Sequence, residues 1–180
     1  MLVPVKSFAK AKLRLAGALD PRERQALAAD LAARVLRAAR PMAVYVACDD
    51  REVAAWAERR GARVLWTPGL GLSGAVASGV ASLATDGYDL AVVSHADLPL
   101  VTSFDGVGTE GTVTLAPDRH LDGTNVAAVP TGAAFRFAYG RGSFARHVAE
   151  AHRLGHAPRI VYDWTLANDL DVPADLALVR

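Results

Sequence analysis

Leu90-Ala91-Val92-Val93-Ser94-His95-Ala96-Asp97-Leu98-Pro99-Leu100 runs from a short apolar strand into a polar turn. An uninterrupted apolar run of this length fits a strand buried on both faces, with helices above and below the sheet. The residues before it agree, because a helical pattern at Ser73–Ala84 leads into the strand. Further upstream the same alternation repeats: a strand at Leu2–Val5, a helix at Pro21–Ala39, a strand at Ala43–Ala47, a helix at Arg51–Arg60 and a strand at Arg63–Trp66. Asp20 ahead of Pro21 is a good helix cap followed by proline at the first helical position. Alternating strands and helices predict an α/β fold with a mostly parallel sheet between two helical layers.

Downstream the pattern is looser. Val101–Gly111 holds three glycines and little periodicity and is predicted to be a loop where a crossover helix would be expected. Strands are predicted at Thr112–Ala116, Asn125–Val129 and Arg159–Tyr162, and a helix at Ser143–Leu154. At 180 residues with 52% hydrophobic content the chain is the size of one domain, here residues 1–180. A net charge of +1 and the absence of any long basic run argue against nucleic acid as a partner. The single cysteine, Cys48, fits a reducing compartment and reads as a buried side chain at a strand end. No apolar stretch approaches the roughly 18 residues of a membrane span, so a soluble cytoplasmic protein with no membrane partner is expected.

In open α/β sheets, ligands gather where the strands end. After the first strand stand Lys6, Lys10, Lys12 and Arg14, and the three lysines are all that a chain with 20 basic residues contains. Such a loop suits a polyphosphate, although it lacks both the glycines and the Gly-Lys-Ser/Thr ending of a Walker loop. Asp97, just past the central strand, is placed for a metal ion, whereas His95 beside it reads as a packing residue. Near the C-terminus, Asp169 and Asp171 in Asn168-Asp169-Leu170-Asp171-Val172-Pro173 share one side of an extended segment. Asp171 is expected to cap a helix starting at Pro173, with Asp175 in its first turn. Should both converge on Asp97, pairs of charges about 4 Å apart would repel by up to about 4 kcal/mol each, which favours a divalent cation. An all-oxygen set suits magnesium better than zinc. Ser143 is placed to cap a helix whose free amides would accept an anion. A Ser-His-Asp hydrolase is not supported, because no Gly-x-Ser-x-Gly elbow is present.

Taken together, Val3-Pro4-Val5-Lys6, Ala11-Lys12-Leu13-Arg14-Leu15, Ala96-Asp97-Leu98-Pro99-Leu100, Ala116-Pro117-Asp118-Arg119-His120, Gly123-Thr124-Asn125, Gly140-Arg141-Gly142-Ser143-Phe144-Ala145-Arg146-His147 and Asp169-Leu170-Asp171-Val172-Pro173 resemble the guanylyltransferases of coenzyme F-420 biosynthesis. That family is related to the molybdenum cofactor guanylyltransferases. The resemblance implies a Rossmann-like, glycosyltransferase-A-like nucleotidyltransferase fold and a magnesium-dependent transfer of GMP from GTP to phosphoenolpyruvate. It implies that Asp97, Asp169 and Asp171 hold magnesium and that Thr124, Gly140 and Ser143 contact the acid. Lys6, Lys12 and Arg14 would face the GTP phosphates, with Lys12 and Asp97 at the reacting centre and Gly71 and Ser73 near the nucleotide. Lys10 matches no family position and is expected to be an ordinary solvated charge. This chain has Gly71-Leu72-Ser73 where family members often have Gly-Leu-Asn, and it lacks the helix usual after the Asp-x-Pro turn. The lost helix is expected to expose a sheet face or mark a partner surface. Alternatives are 2-phospho-L-lactate as acceptor, a molybdenum-cofactor or sugar-phosphate nucleotidyltransferase, or a nucleotide-binding regulatory module without turnover. A homodimer is an expectation with no particular residue behind it.

Overall fold

The computed structural model describes residues 1–179. Seven strands form one sheet: β1 (Leu2–Pro4), β2 (Tyr45–Cys48), β3 (Arg63–Trp66), β4 (Leu90–Ser94), β5 (Thr114–Pro117), β6 (Thr124–Pro130) and β7 (Arg159–Ile160), in the order β3-β2-β1-β4-β6-β5-β7. β1 pairs in parallel with β2 and β4, β2 with β3, and β5 with β7; β6 runs antiparallel to both β4 and β5. The mostly parallel sheet is thus as expected. The reversed β6 carries the start of that strand, Thr124, to the edge of the sheet where β1 and β4 end.

Helices α1 (Pro21–Ala38) and α2 (Arg51–Glu58) cover one face, and α3 (Gly71–Thr85) and α4 (Ser143–Arg153) the other. α1 starts where its sequence says it should: Asp20 Oδ1 accepts from the amides of Arg22 and Glu23, and Glu23 Oε2 accepts in return from the Asp20 amide. Such a reciprocal cap satisfies donors that the first helical turn leaves without partners. Cys48 is buried at the end of β2, and burial pushes its thiol pKa up, which leaves it unreactive.

Three sequence expectations need correction. The strand predicted at Arg159–Tyr162 stops at Ile160, and Tyr162 is exposed; a short helix α5 (Trp164–Ala167), capped by Asp163, follows instead. Val101–Gly111 is a loop as expected, but it exposes no sheet face. Val101, Phe104 and Val107 are buried in the same core as α1 and α2. Gly108 lies so close to the sheet that a Cβ there would meet Leu90 Cδ2 at 2.7 Å. The loop therefore does the covering that a crossover helix does elsewhere. Finally, Asp171 caps nothing, as its partners show below.

Candidate active site

β1 ends in a loop of two short 3-10 turns, Phe8–Lys10 and Leu13–Leu15, separated by Lys12 in the left-handed region at φ 54°. A residue with a Cβ meets a penalty of roughly 1–2 kcal/mol in that conformation. The conformation directs the Lys12 side chain inward. Its ammonium lies 2.6 Å from Asp97 Oδ2, 2.5 Å from the Leu170 carbonyl oxygen and 3.6 Å from Asp171 Oδ1, and the side chain is only 8% exposed. Asp97 Oδ1 is buried with no partner. Burial alone would push the Asp97 carboxyl pKa up, but the charges of Lys12 and His95 and the Lys12 hydrogen bond hold it below the usual value. Asp97 is consequently an anion with one free oxygen.

Leu170 anchors the second acidic segment. Its side chain is buried with Leu15 and Leu31, and its amide donates to the Asp97 carbonyl oxygen. With Leu170 turned into the core, Asp169 and Asp171 project together to the other side, as the alternation predicts. Burial, together with the negative charges of Asp97 and Asp171, raises the Asp169 pKa. Asp171 meets Arg14 at 3.1 Å as well as Lys12. Asp175 lies in the first turn of a 3-10 helix at Pro173–Val179, as expected, and its Oδ2 accepts from the preceding amides of Asp171 and Val172, while its Oδ1 takes a hydrogen bond from Arg119 Nη2 at 2.7 Å. Arg119 also reaches the Asp169 carbonyl oxygen. Together, Arg119 and Asp175 fix the backbone that carries the two acidic side chains. Neither stood out as a site residue in the sequence, although Arg119 lies in one of the quoted motifs.

The loop, Asp97 and Asp171 enclose a cavity of about 400 Å³, lined among others by Lys6, Lys10, Lys12, Arg14 and His95. Lys10, expected to be an ordinary surface charge, borders this cavity too. Oxygen ligands are present, but among the described residues no three His, Cys, Asp or Glu side chains are close enough to form a ready-made metal cage. The Lys12 ammonium stands among the carboxylates instead. The unpartnered Asp97 Oδ1 beside the charge-crowded Asp169 still fits a hard cation that takes one or two carboxylates and completes its shell with phosphate oxygens and water.

A second group lies at the start of β6. Thr124, Ser143 and His147 are buried: the Thr124 amide donates to Ser143 Oγ at 3.0 Å, and His147 Nδ1 lies 2.9 Å from Thr124 Oγ1. Ser143 therefore does not cap α4; Gly142, at φ 71°, occupies the cap position without a side-chain bond. Nor are the first amides of that helix free for an anion, since those of Ser143 and Phe144 donate to the carbonyl oxygens of Gly140 and Asp122. Gly140, at φ 108°, sits in a loop held by Arg146, whose guanidinium donates to the carbonyl oxygens of Ala138, Gly140 and Arg141. Ser73 Oγ accepts from the Tyr139 amide, joining α3 to the same loop. Gly71, at φ 63°, begins α3. Thr124, Gly140, Ser143, Ser73 and Gly71 do not line the cavity that holds the basic loop.

The family model for guanylyl transferases described as CofC like matches residues 1–179. The chain belongs to that family. Among its CofC-like relatives, the phosphoenolpyruvate guanylyltransferase of Sphaerobacter thermophilus is 41% identical over 184 aligned positions, which cover 97% of this chain and 89% of the relative. That of Chloroflexus aggregans is 35% identical, covering 94% and 90%. Solved structures share the fold at much lower identity. A 4-diphosphocytidyl-2C-methyl-D-erythritol synthase superposes with a TM-score of 0.64 at 14% identity, covering 99% of this chain and 94% of that one. A nucleotidyl transferase from Methanothermobacter thermautotroptrophicus does so with 0.62 at 13%, covering 100% and 96%. The family assignment agrees with the order of the sequence motifs, and the nucleotidyltransferase fold agrees with the sheet.

Proposed function

We propose that this CofC-like protein is a phosphoenolpyruvate guanylyltransferase. In the reaction, a phosphate oxygen of phosphoenolpyruvate attacks the α-phosphorus of GTP. The new P–O bond forms as the bond to the bridging oxygen of the β-phosphate breaks, and pyrophosphate leaves with that electron pair. The products are enolpyruvyl-diphospho-guanosine and pyrophosphate. The observation that carries this reading is the juxtaposition of a buried lysine, a carboxylate with a free oxygen and a basic loop around one cavity, in a chain 41% identical to a phosphoenolpyruvate guanylyltransferase.

The attacking phosphate is already an anion at neutral pH, so no side-chain base is needed, and catalysis reduces to positioning and charge compensation. Lys6, Lys12 and Arg14 would bind the GTP phosphates, with Lys12 facing the reacting centre, and Gly71 and Ser73 would border the nucleoside. Thr124, Gly140 and Ser143 would hold the acid. Asp97 and Asp169 would hold magnesium, with Asp171 alongside them. Magnesium bound there would supply charge neutralisation on the phosphoryl oxygens. With Lys12 on Asp97 Oδ2, the Oδ1 atom would be the one offered to the metal.

Pyrophosphate release separates the readings. GTP is compared with ATP, CTP and UTP, and each is supplied with phosphoenolpyruvate or 2-phospho-L-lactate, with and without magnesium. Magnesium-dependent release with GTP and phosphoenolpyruvate is expected. Faster release with 2-phospho-L-lactate would move the acceptor to that acid, and nucleotide binding without release under any condition would make the protein a regulatory module.

A further inference from the structure

His147 has both ring nitrogens engaged, and one of the partners fixes its tautomer. Nε2 lies 2.9 Å from the Ala138 amide, which can only donate, so Nε2 must accept and carries no proton. The proton of the neutral ring is then on Nδ1, which donates to Thr124 Oγ1 at 2.9 Å. Burial pulls the imidazole pKa down to about 4, and the nearby charges of Arg146 and His95 act in the same direction, so the ring is neutral near pH 7. Phe135, Phe137 and Tyr139 surround the ring with centroids 5.7, 6.1 and 5.0 Å away and hold its plane.

The consequence lies on the threonine. A hydroxyl that accepts from His147 still has its own hydrogen to give. Ser143 is in the same state, because its Oγ accepts from the Thr124 amide. No protein acceptor takes the hydrogen of either hydroxyl among the described hydrogen bonds, and both residues are 1% exposed. Two neighbouring hydroxyls, each oriented by a donor behind it, form a pair of donors suited to an anionic oxygen.

We propose that His147 is a positioning residue for the acceptor acid: its Nδ1–H, held by the Ala138 amide on the far nitrogen, turns the Thr124 hydroxyl hydrogen away from the imidazole and leaves it, with that of Ser143, to donate to an anionic oxygen of the acid. The proposal rests on the assignment of Thr124 and Ser143 to the acid under the proposed function. A protonated Nε2 would reverse the arrangement, turning the Thr124 hydroxyl back to donate to Nδ1.

Nitrogen-15 NMR of histidine-labelled full-length protein tests the tautomer without turnover, and the expected form carries hydrogen on Nδ1 alone. Kinetics test the role. His147→Leu removes the donor and should raise KM for phosphoenolpyruvate about tenfold, the scale of one hydrogen bond to a charged group, with KM for GTP nearly unchanged. His147→Asn, which keeps an N–H near the place of Nδ1, should recover most of the loss. Thr124→Val added to His147→Leu should have little further effect. Protonation on Nε2, equal effects on both substrates, no rescue by asparagine, or a full additional loss from Thr124→Val would each overturn the proposal. The NMR result on unsubstituted protein decides it even where His147→Leu does not fold. Failure of the unsubstituted protein to bind either acid would overturn the functional reading and the proposal's ligand with it, whereas Nε2 protonation in a protein that binds acid would overturn the His147 proposal alone.

Discussion

Replacing Lys12 by methionine keeps most of the unbranched side chain and removes its terminal ammonium, leaving Asp97 beside a neutral thioether. The structure sets the scale of the resulting loss. At an effective dielectric of about 20, opposite charges 2.6 Å apart attract by roughly 6 kcal/mol. Desolvation cancels much of that: exposed pairs contribute about 0–1 kcal/mol net, while breaking a fully buried pair removes about 3–5. Lys12 is 8% and Asp97 24% exposed, between these limits but nearer the buried one, so Lys12→Met should destabilise the protein by about 2–3 kcal/mol. The Arg14–Asp171 pair serves as the internal control. Its side chains are 73% and 44% exposed, and Arg14→Met should change stability by less than about 1 kcal/mol. Urea unfolding followed by far-UV circular dichroism, without nucleotide or metal, gives both numbers. Asp97→Asn in the Lys12→Met background closes a double-mutant cycle, in which the combined loss should fall short of the sum by more than about 1 kcal/mol. Lys12→Met no more destabilising than Arg14→Met, or strict additivity in the cycle, would refute the argument that Lys12 is the internal counter-ion of Asp97.

Asp97→Asn by itself should reduce GTP- and phosphoenolpyruvate-dependent pyrophosphate release by about a hundredfold or more, since it weakens a carboxylate assigned to the metal; retained magnesium-dependent turnover would remove Asp97 from the site. His147 makes stability depend on pH. Its folded pKa of about 4 lies below the ordinary 6.5, so the unfolded chain binds the proton first, and its contribution is intact above pH 6.5 and lost as pH falls toward 4. A difference of that size corresponds to about 3 kcal/mol, and His147→Asn should flatten that part of a pH series of urea midpoints. Asp175→Asn turns an amide toward either Arg119 or the Asp171 and Val172 amides and should destabilise the protein by about 2–4 kcal/mol. An unchanged melting temperature would show that Asp175 does not hold the acidic segment. Gly108→Ala should lower stability by about 1–3 kcal/mol through overlap with Leu90, whereas a loop that merely rests on the sheet would accept the methyl group without change in melting temperature.

The alternation of strands and helices up to Ser94 was readable because each element announces itself locally: an apolar run, then a capped amphipathic helix, with Asp20-Pro21 marking one start to the residue. The direction of β6 was not readable in this way, because a strand running with its neighbours and one running against them share the same composition. The acidic side chains were legible one by one, and the period-two spacing of Asp169 and Asp171 about Leu170 held because Leu170 has a core to enter. What stands between the carboxylates was not legible. That depends on one lysine held at φ 54°, which no pattern of residue types specifies.

Hydroxyl residues illustrate the same boundary. From the sequence, Ser143 reads as a helix cap, because serine before a helical pattern usually is one. The fold instead places it beside Thr124, 19 residues earlier in the chain, and uses its oxygen to accept the Thr124 amide. Asp171 does not take its expected capping role for a related reason: its carboxylate meets Lys12 and Arg14, 159 and 157 residues earlier in the chain, while Asp175 stays in the first turn as expected and is paired with Arg119, 56 residues before it. Local sequence by itself determined which elements form, where the principal helix begins and which residue types gather at the strand ends, since those follow from periodicity and capping among near neighbours. Only the tertiary structure decided which donor meets which acceptor, because the partners of Lys12, Arg119, Thr124 and His147 lie 85, 56, 19 and 23 residues away and meet only when the sheet is assembled.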